Sequence, residues 1–314
     1  ALVAAAALAP STVSAQGSPP GWLALTRQFD AYVGSDRVVG ASLAWVHDGR
    51  IVARHHVGFA DVGAGRAADD STLWHWASNT KTLTAVSILQ LRDRGLLSLD
   101  DPATRWVPEL RQVHDPFGPI DAVTVRMLLS HSSGFQNPTW PYGTGAPWEP
   151  FEPTAWSQLV AMMPWQELRF APGSRYGYSN PAYIYLARII ESLTGDPWTV
   201  YVQQNLWAPL GMTRSYVNRT PPYLAAHRSN RYFVDKDSAG TAAPRAAGPE
   251  FDPGVTIPNG GWNAPMDDLA TWIGFLTGTT RGAVRADSLL RRATLSEMGA
   301  PVVPVGRGEG VIES

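Results

Sequence analysis

Ser78 and Lys81, in the stretch WHWASNTKTLTAVSILQLRDRG (residues 74–95), stand three residues apart where apolar residues begin to recur at helical spacing. Residues i and i+3 share a helix face, with Cβ atoms about 5 to 6 Å apart. An amine at 81 can therefore reach a hydroxyl at 78. A serine hydroxyl is a weak nucleophile until a base takes its proton, and a lysine can be that base only when neutral. Burial and the positive end of a helix dipole both lower an amine's pKa. Composition singles the position out, because the chain holds two lysines, Lys81 and Lys236, against 23 arginines. Arginine effectively cannot release its proton. The same residues also fit a serine N-cap followed by a solvated lysine, and spacing alone leaves both readings open.

The helix that must carry this pair is marked by Leu83, Ala85, Val86, Ile88, Leu89 and Leu91, which form an apolar face, with Gly95 as the stop. Ser78 then lies at a helix N-terminus, where unpaired backbone N–H groups favour developing negative charge. A second constellation, Tyr178-Ser179-Asn180, directly precedes a helical pattern with Pro181 in its first turn. A phenol there can relay a proton, and an amide can orient a carbonyl or an amine. An Asn N-cap beside a packed Tyr is the structural alternative. A second copy, Tyr216-Val217-Asn218, shows how easily the tripeptide arises.

Elsewhere, Trp22, Leu25, Phe29, Tyr32 and Val33 mark a first amphipathic helix. Residues 39–58 read as a hairpin turning at Asp48-Gly49, since both central positions accept positive φ. Helices are expected over 79–94, about 123–130, about 154–163, 181–194, 197–207, 266–277 and about 286–298. Segments 136–153 and 238–256 are rich in Pro, Gly and Ala and read as long loops. Trp140, Trp148, Trp156 and Trp165 crowd the first loop and its neighbourhood, either packing beneath it or forming an apolar substrate rim.

With 314 residues, 44% of them hydrophobic, the chain can bury a sizeable core in one large domain or two intimate lobes. A net charge of −2 without any basic run argues against a nucleic-acid or anionic-membrane surface. The absence of cysteine excludes disulfides, thiolate metal sites and a cysteine nucleophile, and no histidine array suggests a metal. Residues 1–15 read as the remnant of a secretory signal peptide, with Val13-Ser14-Ala15 as a small-x-small cleavage site. Residues 16–314 then form the mature domain, secreted or periplasmic, with no stable membrane span.

Taken in order, HHVGFADV, WASNTKTLTA, RMLLSHSSGF, FAPGSRYGYSN, LWAPLGM and GGWNAPMDDLATW resemble landmarks of the penicillin-recognising serine hydrolases of the class C β-lactamase type, with their D,D-peptidase and family VIII esterase relatives. The resemblance covers about residues 22–300. It implies an α+β, transpeptidase-like fold, an antiparallel sheet flanked by helices plus an all-α lobe. It further implies Ser78 as nucleophile, Lys81 as its base, Tyr178 as the proton donor to the leaving group and Asn180 as a substrate contact, with no cofactor or metal. The substrate is a small molecule or peptide: a β-lactam, a D-alanyl peptide or a simple ester. The rival is a penicillin-binding module that acylates without turnover. His131-Ser132-Ser133-Gly134 matches a landmark that holds a helix end. One departure is that the family's third motif, Lys-Thr-Gly or His-x-Gly on a late strand, is missing. The His-x-Gly at His47-Asp48-Gly49 is the early hairpin turn, not a late strand. The resemblance thus leads us to expect that the C-terminal strands completing the sheet lie beyond Ser314.

Overall fold

The computed structural model describes residues 18–135, 153–234, 244–247, 254–279 and 286–303. The signal-like segment 1–15, Lys236, Trp140, Trp148 and most of the two long loops lie outside the described residues. In chain order the principal elements are α1 (Trp22–Ser35), β1 (Gly40–His47), β2 (Arg50–Asp61), β3 (Arg66–Ala67), α2 (Thr80–Asp93), α3 (Val125–Leu129), α4 (Trp156–Met162), α5 (Asn180–Thr194), α6 (Trp198–Val202), α7 (Ala208–Leu210), α8 (Ile257–Gly260), α9 (Met266–Leu276), α10 (Ala286–Leu289) and α11 (Arg292–Met298). Helices and antiparallel sheets together make an α+β protein. The chain divides into two compact units, Ala1–His75 with Thr220–Glu250 and Ala264–Arg281, and Trp76–Arg219 with Phe251–Asn263 and Gly282–Ser314.

The first unit is built on the antiparallel sheet β1-β2-β3, with α1 and α9 packed on it. Asp48 and Gly49 turn the β1-β2 hairpin with φ of 49° and 68°, the positive pair expected of an Asp-Gly turn. A bulge between Trp45 and Val46 shifts the register, so Trp45 pairs Ala53 while Val46 pairs Ile51. Adjacent histidines face opposite ways in a strand, and His55 meets Asp30 while His56 bridges Ser42 and Asp70. At the hairpin tip the backbone of α9 comes in directly. A Cβ on Gly274 would lie 2.6 Å from the Cα of Gly49, so two glycines are what this crossing admits.

The second unit is helical around α2, with α5, α6 and α8 against it. Its chain pattern suggests one apolar face, but Leu83, Val86, Ile88 and Leu91 are fully buried and so are Thr84, Ser87 and Gln90 on the other sides. Polar side chains buried on a helix must be satisfied internally. Thr84 donates to the Pro258 carbonyl (2.7 Å), Ser87 to that of Leu83 (2.9 Å), and Gln90 to that of Leu289 (2.9 Å) while accepting from Tyr201 (3.2 Å). Gly95, at φ 76°, ends the helix as expected, with the Leu96 N–H on the Leu91 carbonyl.

Two helical segments differ from the sequence expectation. The run from α6 passes through a π-helical turn, Gln203–Trp207, into α7 and stops at Gly211, φ 71°. The segment expected as one helix over 286–298 is two, broken around Leu290-Arg291. Arg291 is extended there and its guanidinium grips the Asp93 carboxylate at the end of α2 (2.7 and 3.0 Å). That bond, with Thr294 and Arg92, holds the Asp93 carboxyl well below the usual range.

The glycine crossing yields a test. Gly274→Ala should destabilise the protein by about 1–3 kcal/mol through overpacking, read as a lowered urea midpoint. Gly63→Ala is the control, because its Cβ would meet only the Asp61 carboxylate, at 3.4 Å, and should change stability by less than about 0.5 kcal/mol.

Candidate active site

Ahead of α2 the chain leaves a short strand, Trp74–Ala77, and the bend is made by Ala77, whose φ is 44°. A left-handed conformation costs a residue with a Cβ roughly 1–2 kcal/mol, and it persists where its surroundings over-determine it. Thr80 supplies that constraint. Its buried hydroxyl donates to the Ala77 carbonyl (2.5 Å) and accepts the Trp262 N–H (2.9 Å). Ser78 is thereby set just before the helix, exposed to solvent. Asn79, not Ser78, is the N-cap residue, without a side-chain cap bond. The Ser78 hydroxyl lies instead 2.8 Å from the Tyr178 hydroxyl and accepts from Lys81 Nζ at 3.0 Å. Of the two readings left open by the Ser-x-x-Lys spacing, the cap with a solvated lysine does not describe this geometry.

Lys81 is only 6% exposed. Its ammonium also donates to the Asn259 carbonyl at 2.8 Å and sits 4.9 Å from the ring centre of Tyr178 and 5.7 Å from that of Tyr183. Ring faces favour a cation, while removal from water disfavours it, and here burial dominates. It lowers the Lys81 pKa from 10.5 to about 8. Lys81, Tyr176 and Tyr183 also line a cavity of about 640 Å³, with Leu89, Leu129 and Met298 among its apolar walls.

Tyr178 reaches the pair from the loop before α5. Gly177 lets that loop pass Phe170, since a Cβ there would fall 2.5 Å from the Phe170 ring. Ser179 caps α5 by accepting the Ala182 N–H (3.2 Å), and Pro181 occupies the first turn. Asn180 is therefore not the cap but the first helical residue, half-buried and two positions from Tyr178. On the other side of the loop, α3 closes with the Ser132 N–H on the Met127 carbonyl and the His131 N–H on that of Leu128. That is a Schellman motif, and His131 fills its left-handed position, φ 57°, where glycine is usual. The helix-end role expected of His131 is present. Its ring is buried, and that burial, then the Lys81 charge, push its pKa down to about 4.

The structure thus places the Ser78 hydroxyl within hydrogen-bonding distance of both Lys81 and Tyr178, with Asn180 two residues after Tyr178. In the competing Tyr216-Val217-Asn218, Tyr216 and Val217 form a short strand, with Tyr216 buried opposite Asn263, and Asn218 follows it at φ 66°. Trp156 packs, donating to Glu109 (3.4 Å) beneath the Arg188 guanidinium, while Trp165 is 83% exposed. The sequence reading missed Thr80, Tyr183 and the Asn259 carbonyl. A backbone acceptor leaves no signature in residue type, whereas a buried Thr two positions after the serine could have been flagged as a local backbone partner.

With that geometry in view, similarity to known proteins takes on chemical content. A family described as Beta-lactamase matches residues 25–311. The chain is similar to Esterase EstB of Burkholderia gladioli, 31% identical over 293 residues, 82% of this chain and 72% of that protein. It is also similar to Penicillin-binding protein 4* of Bacillus subtilis, 30% identical over 194 residues, 60% of this chain. It spans only 41% of that protein's length. The octameric penicillin-binding protein homologue from Pyrococcus abyssi superposes with a TM-score of 0.72 at 26% identity, covering 91% of this chain and 62% of that one. A family match over nearly the whole length, a relative matched across most of its own sequence and a shared fold agree: this chain belongs to the β-lactamase family.

Proposed function

We propose that this protein is an exported serine hydrolase that acts through an acyl-enzyme on a carboxylic ester. The observation that carries the reading is the Ser78 hydroxyl held 3.0 Å from a buried lysine amine and 2.8 Å from a phenol. Neutral Lys81 takes the Ser78 proton as its oxygen attacks the substrate carbonyl. The Ser78 backbone N–H, ahead of α2, is one donor to the developing oxyanion. Tyr178 passes a proton to the departing alcohol and takes one back from the Lys81 ammonium, which leaves Lys81 neutral again, and Asn180 contacts the substrate. Water then releases the acid from Ser78 with the same base. The similarity to an esterase across 72% of its length supports an ester over a β-lactam or a D-alanyl peptide. Export rests on the signal-like residues 1–15. Among the described residues, no helix is long and apolar enough to cross a membrane.

Steady-state hydrolysis of p-nitrophenyl butyrate, with cephalosporin and D-alanyl-D-alanine substrates in parallel, tests the chemistry. Ser78→Ala should abolish turnover. Lys81→Arg should lose about 10²- to 10⁴-fold, the range expected for removing a general base. Because the acting form is the neutral amine, the wild-type rate should rise about tenfold per pH unit up to about pH 8 and then level. Release of one equivalent of product followed by silence would favour the acylating module over the enzyme, and full activity in Ser78→Ala would defeat the site assignment.

The lowered lysine pKa also links stability to pH, with a definite sign. Lys81 titrates near 8 in the folded chain and near 10.5 when unfolded, so between those values the unfolded state binds more protons. Stability relative to Lys81→Met should therefore rise with pH through that window, by at most about 1.4 kcal/mol per pH unit. Below pH 8 the burial penalty is fully present, and Lys81→Met should be the more stable protein. Urea unfolding of both proteins from pH 7 to 10 reads the difference, and a flat difference would show that the amine is not desolvated.

A further inference from the structure

We propose that His131 is a positioning residue for Tyr178, holding the phenol in register with Ser78 and Lys81. This rests on the reading of Tyr178 as proton donor to the leaving group. Two backbone N–H groups flank Tyr178, and His131 receives both. The Gly177 N–H donates to its carbonyl at 2.8 Å, and the Ser179 N–H donates to ring Nδ1 at 3.1 Å. The imidazole also lies against the Tyr178 ring, centroids 4.6 Å apart at 36°. One residue therefore fixes both neighbours of Tyr178 and one face of its ring, and leaves the hydroxyl free to meet Ser78 at 2.8 Å.

The backbone of His131 points the same way. At φ 57° it occupies the Schellman position where glycine would sit without strain. Glycine offers the carbonyl but neither a side-chain acceptor nor a ring, and those are what Tyr178 uses. To accept the Ser179 N–H, Nδ1 must be unprotonated. The ring's surroundings meet that demand, with Tyr176 and Tyr183 centred 5.8 and 5.1 Å away and 9% of the residue exposed.

The test turns on the leaving group. p-Nitrophenolate departs without needing a proton, whereas ethoxide must receive one, so a displaced Tyr178 should harm ethyl butyrate hydrolysis far more than p-nitrophenyl butyrate hydrolysis. His131→Gly keeps the backbone relaxed and removes the acceptor. It should lower kcat on the ethyl ester about a hundredfold, as misplacement of a reacting group does, and on the p-nitrophenyl ester less than about tenfold, with KM within about threefold for both. His131→Asn tolerates positive φ, and its Oδ1 lies as many bonds from Cα as Nδ1 does. It should restore both rates to within about tenfold of wild type. Tyr178→Phe should show the same leaving-group selectivity and add little to His131→Gly. If His131→Gly does not fold, as judged by its thermal melt, His131→Gln replaces it, its acceptor lying one bond further out. Equal losses on both esters, failure of Asn to rescue, or absence of selectivity in Tyr178→Phe would each overturn the proposal. The reading of Ser78 is judged separately, by loss of turnover on both esters in Ser78→Ala.

Discussion

Lys81 is a lysine taken out of water, 6% exposed beside a serine hydroxyl, and the packing of the helical unit depends on doing this. Desolvation is what lowers its pKa to about 8. Desolvation in turn requires that α2, the helix bearing it, be covered. Covering most of α2 then forces its buried polar side chains to find partners among carbonyls. Thr84 and Lys81 itself both turn to the backbone of α8, at Pro258 and Asn259. The site and the core are therefore one construction. The residues that keep water from the amine are the ones whose burial stabilises the unit.

Two left-handed residues flank the same place. Ala77 and His131 are both non-glycine residues in the left-handed region, and each stands at an entry to the site, before Ser78 and beside Tyr178. Neither conformation is favourable by itself. Each is held by polar contacts with parts of the chain remote in sequence, Ala77 through Thr80 to Trp262 and His131 through Gly177 and Ser179. The bend at Ala77 puts a hydroxyl in front of a helix instead of inside it. The bend at His131 closes α3 and turns an acceptor toward the neighbouring loop.

Features governed by neighbours in the chain were legible in the sequence. Asp48-Gly49 announced its turn, Gly95 its helix end, and Ser78 and Lys81 their shared face, because each depends on a few consecutive dihedrals. Features governed by distant packing were not. Nothing in residues 286–298 marks a break near Arg291, where the guanidinium pairs with Asp93 in another helix. Nothing in the composition of α2 separates one buried face from burial all round, because its threonines, Ser87 and Gln90 look solvent-bound until their partners are known. Tyr178-Ser179-Asn180 was found as a motif, yet which of its residues caps α5 was decided by Ser179, the residue between the two that drew attention.

The same division separates the geometry of the chemistry from its energetics. The distance from Ser78 to Lys81 follows from one helical turn, and any helix with serine and lysine so spaced would reproduce it. Such a helix in solvent would carry an ammonium near its ordinary pKa, already protonated and unable to act as a base. The buried state of Lys81 arises from groups contributed by separate stretches: the Tyr178 and Tyr183 rings, the Asn259 carbonyl and the apolar residues behind them. Their arrival excludes water, yet each also interacts favourably with the cation, through ring faces and a carbonyl oxygen. The lysine is thus desolvated enough to lose its proton and still stabilised enough to receive one. In the role proposed for Lys81, a base that takes a proton from Ser78 and later surrenders it needs both halves of that balance, and the folded unit supplies them.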